Sequence, residues 1–352
     1  MNNSYDSNEN QPSRRDLFRL GAGIAGAGIL GALGGLPISA AMAEEAGVGP
    51  YPATPKWKFA FINPNTTDMF FQPSQYAIED ASKLLGVSVQ WTGSQSDKVA
   101  EMVSAMNAVI SARIDGIVVN MVDPQAFNEP TKRALDAGIP VISYNSDTPN
   151  ARLAFVGQDK YVSGRQIGEK LVVTVPEGKI VVFISSPGSL ANTPTLRGIM
   201  DVVKESGKPI KADTIVIGTD PNQQQARVDS YYQGNPDVKG MFATGSGETQ
   251  AVGKIMQKYG LAAKGVRAGG MDLLPTTIKL IADGHLDFAV DETPYYQGFL
   301  PVFYLYMYKL TGTLLAPASS NTGVRAVTKA DIKPFLKANR FIGTSKDYLP
   351  VN

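Results

Sequence analysis

The feature that most constrains the fold is a regular alternation of short apolar runs with helical stretches, which begins at Lys58. Runs such as Gly116-Ile117-Val118-Val119 are apolar at every position, as expected of a strand that helices cover on both faces of a sheet. Short loops separate these runs from segments with a helical spacing of apolar residues. Repeated strand–helix units of this kind predict doubly wound, Rossmann-like parallel sheets, and therefore an α/β protein.

The sequence predicts strands in two series of five. The first series is Lys58–Asn63, Ser88–Thr92, Gly116–Asn120, Pro140–Asn145 and Ala154–Val156. The second series is Lys179–Ser185, Thr214–Ile217, Gly240–Thr244, Val266–Met271 and Leu286–Asp291. The predicted helices are Gln75–Leu85, Val99–Ala112, Asn128–Ala137, Val162–Val173, Thr195–Glu205, Thr249–Tyr259, Thr276–Ala282 and Tyr296–Leu310. Two lobes account for this pattern, one from about Lys58 to Gly157 and one from about Gln158 to Asp291.

The first 43 residues have the features of an export signal and are kept out of the fold. Arg14 and Arg15 precede a run rich in Gly, Ala and Leu, and Ala41-Met42-Ala43 offers the small residues that a signal peptidase requires. The paired arginines resemble a twin-arginine signal, which predicts a periplasmic protein. A transmembrane anchor is the alternative interpretation of the same run. Residues 44–56 are expected to form a loose leader before the first strand.

The composition argues against several classes of function. A formal net charge of +1 offers no strongly basic surface for nucleic acid. The chain has no cysteine, and its single histidine, His285, is expected to be a turn residue, so a metal site or a His-centred triad is not expected. The loop after the first strand, Asn63-Pro64-Asn65-Thr66-Thr67, has no glycine and therefore cannot be a dinucleotide-binding loop. No cofactor is expected.

Polar and aromatic residues follow most of the predicted strands. Ligands of open α/β sheets bind outside the carboxyl ends of the strands, so these residues are the candidates for a ligand site. The candidates are Asn65, Asp68, Phe70, Phe71, Asn120, Asn145, Asp147, Arg197, Asp220, Gly247, Asp272 and Glu292. The alternative for each polar residue taken singly is a helix N-cap, which is common after a strand.

Together the candidates have the chemistry that a sugar requires. Phe70 and Phe71 can cover the C–H surface of a sugar ring, while Asp68 and Asn65 can bond its hydroxyls. Each hydroxyl both donates and accepts hydrogen bonds. Amides supply donors and acceptors, and carboxylates supply acceptors. The sequence therefore predicts a binding site for a polyhydroxylated ligand between the two lobes.

Several short segments resemble type I periplasmic binding proteins of the ribose/galactose-binding class, over essentially all of the chain after the signal. The segments are Phe70-Phe71, Ala81-Ser82-Lys83-Leu84-Leu85-Gly86, Asp115-Gly116-Ile117-Val118-Val119-Asn120, Ala137-Gly138-Ile139-Pro140-Val141-Ile142, Asn235-Pro236-Asp237-Val238 and Gly270-Met271-Asp272. The resemblance implies a three-crossing hinge between the lobes, with lobes of 57–157 plus 293–322 and 158–292 plus 323–352. It also implies a monomer that closes around one sugar and delivers it to a membrane ABC permease.

The resemblance also implies roles for individual residues. Asp68, Phe70 and Phe71 match the first contact loop, and Asn120 the contact after the third strand. Asn145 and Asp272 match positions that bond sugar hydroxyls, Arg197 matches an arginine that reaches the ligand from the second lobe, and Glu292 lies near the hinge. Asn145-Ser146 stands where ribose binders have Asp-Arg, and Gly245-Ser246-Gly247-Glu248 where they have Asn-Asp-Glu, so the sugar is left open among pentoses, hexoses, deoxy sugars and polyols.

Two other functions stay open at this point. The same fold serves sensory binding proteins that report a bound sugar to a chemoreceptor or kinase. A secreted glycosidase could use Asp68 and Asp272 as an acid/base pair. Neither the composition nor the resemblance favours either of them over a binding protein for transport, and an enzyme is not expected.

Overall fold

The structure is a computed structural model that describes residues 54–323 and 325–349, so the predicted signal and most of the leader lie outside the described residues. The strands are β1 (Lys58–Asn63), β2 (Ser88–Gly93), β3 (Gly116–Val119), β4 (Val141–Tyr144), β5 (Ala154–Gly157), β6 (Gly178–Ile184), β7 (Ile210–Val216), β8 (Gly240–Ala243), β9 (Arg267–Met271), β10 (Phe288–Asp291), β11 (Ser319–Asn321) and β12 (Arg325–Thr328). The α-helices are α1 (Gln72–Leu85), α2 (Val99–Ser111), α3 (Asn128–Asp136), α4 (Lys160–Thr174), α5 (Thr193–Glu205), α6 (Pro221–Gly234), α7 (Ser246–Lys258), α8 (Pro275–Ala282) and α9 (Pro294–Thr311).

The strands form two sheets of six with the same internal order. The first sheet runs β11-β5-β4-β3-β1-β2 and the second β12-β10-β9-β8-β6-β7. All pairings are parallel except that of β10 with β12. In each sheet the strand order reverses between the first and third strands of its series, which are β1 and β3 in one and β6 and β8 in the other. Such reversals open a crevice at the carboxyl ends of the strands.

Each central strand is buried on both faces, which explains why its sequence is apolar at every position. In β1, Phe59 and Phe61 pack in one core cluster, whereas Ala60 and Ile62 pack with Met102 on the other face of the sheet. The same alternation divides β6 of the second sheet between two clusters. We call the first sheet with α1–α3 and α9 the first lobe, and the second sheet with α4–α8 the second lobe.

The α/β class and the two doubly wound sheets are confirmed, and all ten predicted strands are present within a few residues of their predicted ends. Helix α6 was not predicted, because the segment after β7 is polar and lacks a clear apolar stripe. Strands β11 and β12 are also absent from the strands that the sequence predicted. Both are short, and each lies at the edge of its sheet, where few apolar side chains mark a strand.

Three segments connect the lobes: the links from β5 to α4, from β10 to α9, and from β11 to β12. The side chain of Gln158, in the first link, donates hydrogen bonds to the carbonyl of Asp291 and to the carbonyl of Gly323, and so joins all three links.

The exact lobe boundaries stay a prediction. Residues 340–348, however, were expected in the second lobe and instead contact α1 of the first lobe, through Arg340 and Tyr348. Within the described ranges, no helix is both long and apolar enough to cross a membrane.

Candidate functional site

A cleft of about 980 Å³ lies between the lobes, at the carboxyl ends of the strands where the strand order reverses. Its walls are built by the segments that follow β1 and β3 in the first lobe and β6 and β8 in the second. The segments after β2, β4, β7, β9 and β10 and the first residue of α4 complete it. Because the sheets meet at equivalent edges, side chains from both lobes face one space.

The first-lobe wall combines an aromatic pair with a carboxylate. Phe70 and Phe71 contact each other edge to face, with ring centroids 4.8 Å apart, and Phe71 also packs on Trp91 and Tyr144. Both phenylalanines are more than nine-tenths buried and line the cleft while belonging to the core of the lobe. Asp68 caps the turn that carries them, accepting a hydrogen bond from the amide of Phe70 at 2.9 Å. The aromatic surface at this wall is therefore held rigidly.

Asn120 and Asn145 continue this wall toward the hinge. Nδ2 of Asn120 donates to Oδ1 of Asn145 at 3.2 Å, and Nδ2 of Asn145 donates to Oε2 of Glu292 at 3.1 Å and to Oε1 of Gln297 at 3.0 Å. Oδ1 of Asn120 and Oγ of Ser146, both buried, have no partner within the described part of the chain. These two atoms are therefore available to a polar ligand.

The hinge end of the cleft carries a buried ion pair. Lys160 opens α4 just after the first link, and its ammonium group bonds Oε1 of Glu292 in the second link. Gln297 donates to the carbonyl of Glu292 at 3.0 Å, and Thr322 in the third link donates to the same carbonyl at 2.8 Å. Glu292, which lines the cleft in the second link, is thus bonded to residues at the other two links, Lys160 and Thr322.

The second-lobe wall presents two buried carboxyl groups. Asp272 follows β9 and Glu248 lies in the first turn of α7, and they are 6% and 3% exposed. Oδ1 of Asp272 and Oε1 of Glu248 have no hydrogen-bond partner among the residues described. Asn192 lines the same cleft and is held in place, since it accepts a hydrogen bond from Ser185 at 2.7 Å and donates one to Thr244 at 3.3 Å.

Burial raises the pKa values of three carboxyl groups that line the cleft, those of Asp68, Glu248 and Asp272. The pKa of Asp272 lies well above its ordinary value, first because of burial and then because the Glu292 carboxylate is close, although Lys160 opposes the shift. Burial likewise raises the pKa of Glu248, against hydrogen bonding by its own amide and by Ser185. The pKa of Asp68 is raised by burial too. An uncharged carboxyl group can donate a hydrogen bond as well as accept one, which suits a hydroxylated ligand.

Strained backbone is concentrated at this cleft. Five non-glycine residues of the described chain have φ between +51° and +71°, and three of them, Asp97, Asn145 and Asp272, line the cleft. A fourth, Thr293, lies in the second link. Such conformations cost about 1–3 kcal/mol each and persist where the surrounding structure requires them. Here they turn Asn145 and Asp272 into the cleft directly after β4 and β9.

A sequence model described as a periplasmic binding protein domain matches residues 59–313. The chain belongs to the periplasmic binding protein family. Its predicted membership of the type I sugar-binding proteins is thereby confirmed, together with the fold.

Individual relatives agree with this assignment. The xylose/arabinose-binding protein XylF of Sulfolobus acidocaldarius is 38% identical over 379 aligned positions, which cover 97% of this chain and 94% of the relative. A putative rhizopine-binding protein of Rhizobium meliloti is 28% identical over 244 positions, covering 66% of this chain and 77% of the relative. An ABC transporter solute-binding protein from Burkholderia graminis, solved with D-arabinose, has the same fold, with a TM-score of 0.74 at 24% identity over 80% of this chain and 98% of that one.

In this periplasmic binding protein the cleft brings together nine of the twelve candidate residues. These are Asn65, Asp68, Phe70, Phe71, Asn120, Asn145, Gly247, Asp272 and Glu292. Their arrangement around one space agrees with a shared site, while their contact with a ligand stays a prediction. Within residues 54–323 and 325–349, no group of three or more Asp, Glu, His or Cys side chains is arranged to hold a metal ion.

The other three candidates do not line the cleft. Arg197 is exposed, and its guanidinium lies 4.7 Å from the ring centre of Tyr161 on the surface of the second lobe. Asp147 is engaged by Arg152 and accepts a hydrogen bond from Ser143 at 2.6 Å. Asp220 caps α6, accepting from the amide of Gln223 at 2.8 Å. Arg197 therefore lies outside the cleft in this structure, and its contact with a ligand stays a prediction. Asp220 makes the N-cap bond that was its alternative role.

Several cleft residues were not singled out from the sequence. Lys160, Asn192, Gln224 and Glu248 all line the cleft and are at least partly buried. Glu248 could have been found, since it follows β8 within the segment already compared with ribose binders. Gln224 could not, because α6 was not predicted, and Lys160 carries no local signal that separates it from a solvated lysine.

Proposed function

We propose that this protein binds a monosaccharide, foremost a pentose of the xylose or arabinose type, in the cleft between its lobes. The observation that carries the proposal is a set of four buried polar atoms that face one space without a partner in the described chain. They are Oδ1 of Asn120, Oγ of Ser146, Oε1 of Glu248 and Oδ1 of Asp272. The name of the 38% identical relative, a xylose/arabinose-binding protein, supports the same ligand class.

The chemistry of the cleft matches a sugar on both of its surfaces. Each unpartnered buried polar group costs about 1–3 kcal/mol, and several hydroxyls on one ring would satisfy the four atoms together. Phe70 and Phe71 line the cleft and offer an apolar surface for the C–H groups of the ring. Two of the four atoms belong to each lobe, so one ligand bonds both lobes at once.

Bonding both lobes gives the ligand its effect on conformation. A sugar that contacts Asn120 and Asp272 together is bound best when the lobes are close, so it shifts the population toward the closed form. Glu292, in the hinge, bonds Asn145 of the first lobe and Lys160 of the second. Ligand contact at this end of the cleft therefore acts directly on the links.

Binding is tested by calorimetric titration of the purified protein with D-xylose, L-arabinose, D-ribose, D-glucose, L-rhamnose and xylitol. We expect one pentose to bind most tightly and to raise the melting temperature, since it binds the native state alone. Chromogenic xylosides and arabinosides included in parallel should not be hydrolysed. Absence of binding by every sugar in the panel would refute the proposal, and hydrolysis would favour the glycosidase alternative.

We further propose that the protein is exported to the periplasm, through the twin-arginine-type sequence around Arg14 and Arg15, and there delivers the sugar to an ABC permease as a monomer. Uptake of labelled sugar by a deletion strain tests delivery: we expect uptake to be lost and to return with the intact gene. Replacing both arginines by lysine should leave the protein in the cytoplasm. Normal uptake in the deletion strain, with sugar binding intact, would favour a sensory role.

A further inference from the structure

Glu248 has the structural marks of a ligand contact, although its position was not expected to be one. It is 3% exposed, lines the cleft, and keeps Oε1 without a partner in the described structure. A glutamate that served only the core would be expected to have both oxygens bonded, because a buried unsatisfied oxygen is costly. We therefore expect Oε1 of Glu248 to find its hydrogen-bond partner outside the described residues, for example in a ligand.

Two glycines before Glu248 make the space that the second-lobe side chains occupy. A Cβ atom on Gly245 would lie 2.7 Å from Oε2 of Glu248, and a Cβ atom on Gly247 would lie 2.5 Å from Oε1 of Gln224. Gly245 has φ −153° and ψ 174°, an extended conformation that any residue can adopt. Its lack of a side chain is thus explained by space for Glu248 rather than by backbone geometry.

The charged groups that act on Glu248 across the cleft are carboxyl groups. Asp68 faces it from the first lobe and Asp272 lies near it in the second, and each acts on Glu248 or is acted on by it electrostatically. The other charged side chains that line the cleft are Asp97, Asp123, Lys160, Lys254 and Glu292. The ammonium group of Lys160 is paired with the carboxylate of Glu292. The expected second-lobe arginine, Arg197, lies outside the cleft.

We propose that Glu248 is a specificity-determining residue of the second lobe, whose Oε1 hydrogen-bonds one hydroxyl of the bound sugar. Gly245 and Gly247 keep the wall open so that Glu248 and Gln224 reach the cleft. The inference rests on the proposed sugar binding and adds to it which residue takes the place of Arg197. It assigns the discrimination between sugars that differ at one hydroxyl to this carboxyl group.

The test compares four variants in titrations with the sugar that the wild type binds best. Glu248→Ala and Gly245→Ala should each weaken binding about tenfold to a hundredfold, the first by removing the carboxyl and the second by displacing it. Glu248→Gln keeps the shape and should lose less. Gly234→Ala is the matched control, because a Cβ at that helical position would meet no atom within 4 Å apart from its chain neighbours and the backbone of its own helix, and it should bind like the wild type.

Monodeoxy analogues of the same sugar identify the hydroxyl. One analogue should bind the wild type at least tenfold more weakly than the parent sugar, yet bind Glu248→Ala about as well as the parent sugar binds that variant. Wild-type binding with unchanged affinities in Glu248→Ala and Gly245→Ala, or equal losses for every analogue in both proteins, would overturn the inference alone. A wild type that binds no sugar would overturn the proposed function with it. Far-UV circular dichroism establishes that each variant is folded. If Glu248→Ala does not fold, Glu248→Gln replaces it in the comparison of analogues.

Discussion

The ammonium group of Lys160 bonds the carboxylate of Glu292, and the two residues lie at different links between the lobes. Their side chains are 10% and 4% exposed, so the pair is almost wholly removed from water. Glu292 also accepts from Asn145 and sits beside Asp272, which places a further carboxyl group within electrostatic reach. Lys160 is therefore the charge that balances the hinge end of the cleft.

Replacing Lys160 by methionine should lower the free energy of unfolding by about 3–5 kcal/mol at neutral pH, because it leaves a buried carboxylate without its partner. Urea unfolding monitored by circular dichroism measures the loss. The double variant Lys160→Met/Glu292→Gln should regain most of it. Lys132→Met, which breaks an exposed pair with Asp136, is the control and should cost less than about 1 kcal/mol. Equal losses in Lys160→Met and Lys132→Met would contradict this account of the hinge.

Asp272→Asn should make the ligand-free protein more stable at neutral pH. The pKa of Asp272 is higher in the folded than in the unfolded chain, so between the two values the folded state holds more protons and stability falls as pH rises. The gain from the substitution should shrink as the pH falls toward about 3.9, the value of a free aspartate.

Urea unfolding between pH 4 and pH 8 tests this dependence. Asp229→Asn is the control of opposite sign, because Lys258 lowers the pKa of Asp229, and it should reduce stability slightly at neutral pH. A wild type and an Asp272→Asn variant with parallel pH profiles would show that the carboxyl group of Asp272 is charged in the folded protein throughout this range.

Asp68→Ala and Phe71→Ala should separate binding from folding. Asp68 makes one cap bond and is partly exposed, so its removal should weaken sugar binding at least tenfold while costing about 1 kcal/mol of stability. Phe71 is 4% exposed and packs on Trp91 and Tyr144, so its truncation should cost about 3–5 kcal/mol. Phe71→Leu, which fills more of the site, should be milder. Titration and thermal melting of the three variants decide between these roles, and Asp68→Ala with full affinity would remove Asp68 from the site.

Arg340→Met should release the C-terminal segment from the first lobe. The guanidinium of Arg340 lies 2.9 Å from a carboxylate oxygen of Asp80 and 3.1 Å from one of Glu79, and it bonds the carbonyl of Tyr76. Phe335, a few residues earlier, packs on the core of the second lobe, so the segment touches both lobes. We expect the variant to melt at a lower temperature and to be cleaved faster by trypsin after Lys337.

Two matched substitutions make this prediction specific. Arg340→Lys keeps the charge but not the planar fork that reaches two carboxylates and a carbonyl, so it should restore only part of the stability. Arg325→Met changes an exposed arginine whose nearest carboxylate oxygen is 3.7 Å away, and it should have little effect. A melting temperature equal in Arg340→Met and Arg325→Met would show that the contacts of Arg340 contribute nothing to the fold.

The sequence by itself determined the fold class, because a strand buried on both faces must be apolar at each position. Phe59, Ala60, Phe61 and Ile62 show this directly, since alternate residues enter different cores. It also determined where a ligand site could lie, since the carboxyl ends of parallel strands share one edge. The edge strands β11 and β12 and helix α6 have too few regularly spaced apolar residues to be predicted in this way.

Only the tertiary structure decided which strand-end residues face the cleft. Positive φ angles turn Asn145 and Asp272 into it, while Asp147, two residues after Asn145, turns away to Arg152. The missing side chain of Gly245 leaves space for Glu248. The guanidinium of Arg197 packs on the ring of Tyr161 and not in the cleft. These outcomes depend on backbone turns and on partners distant in sequence, which no local pattern of residues contains.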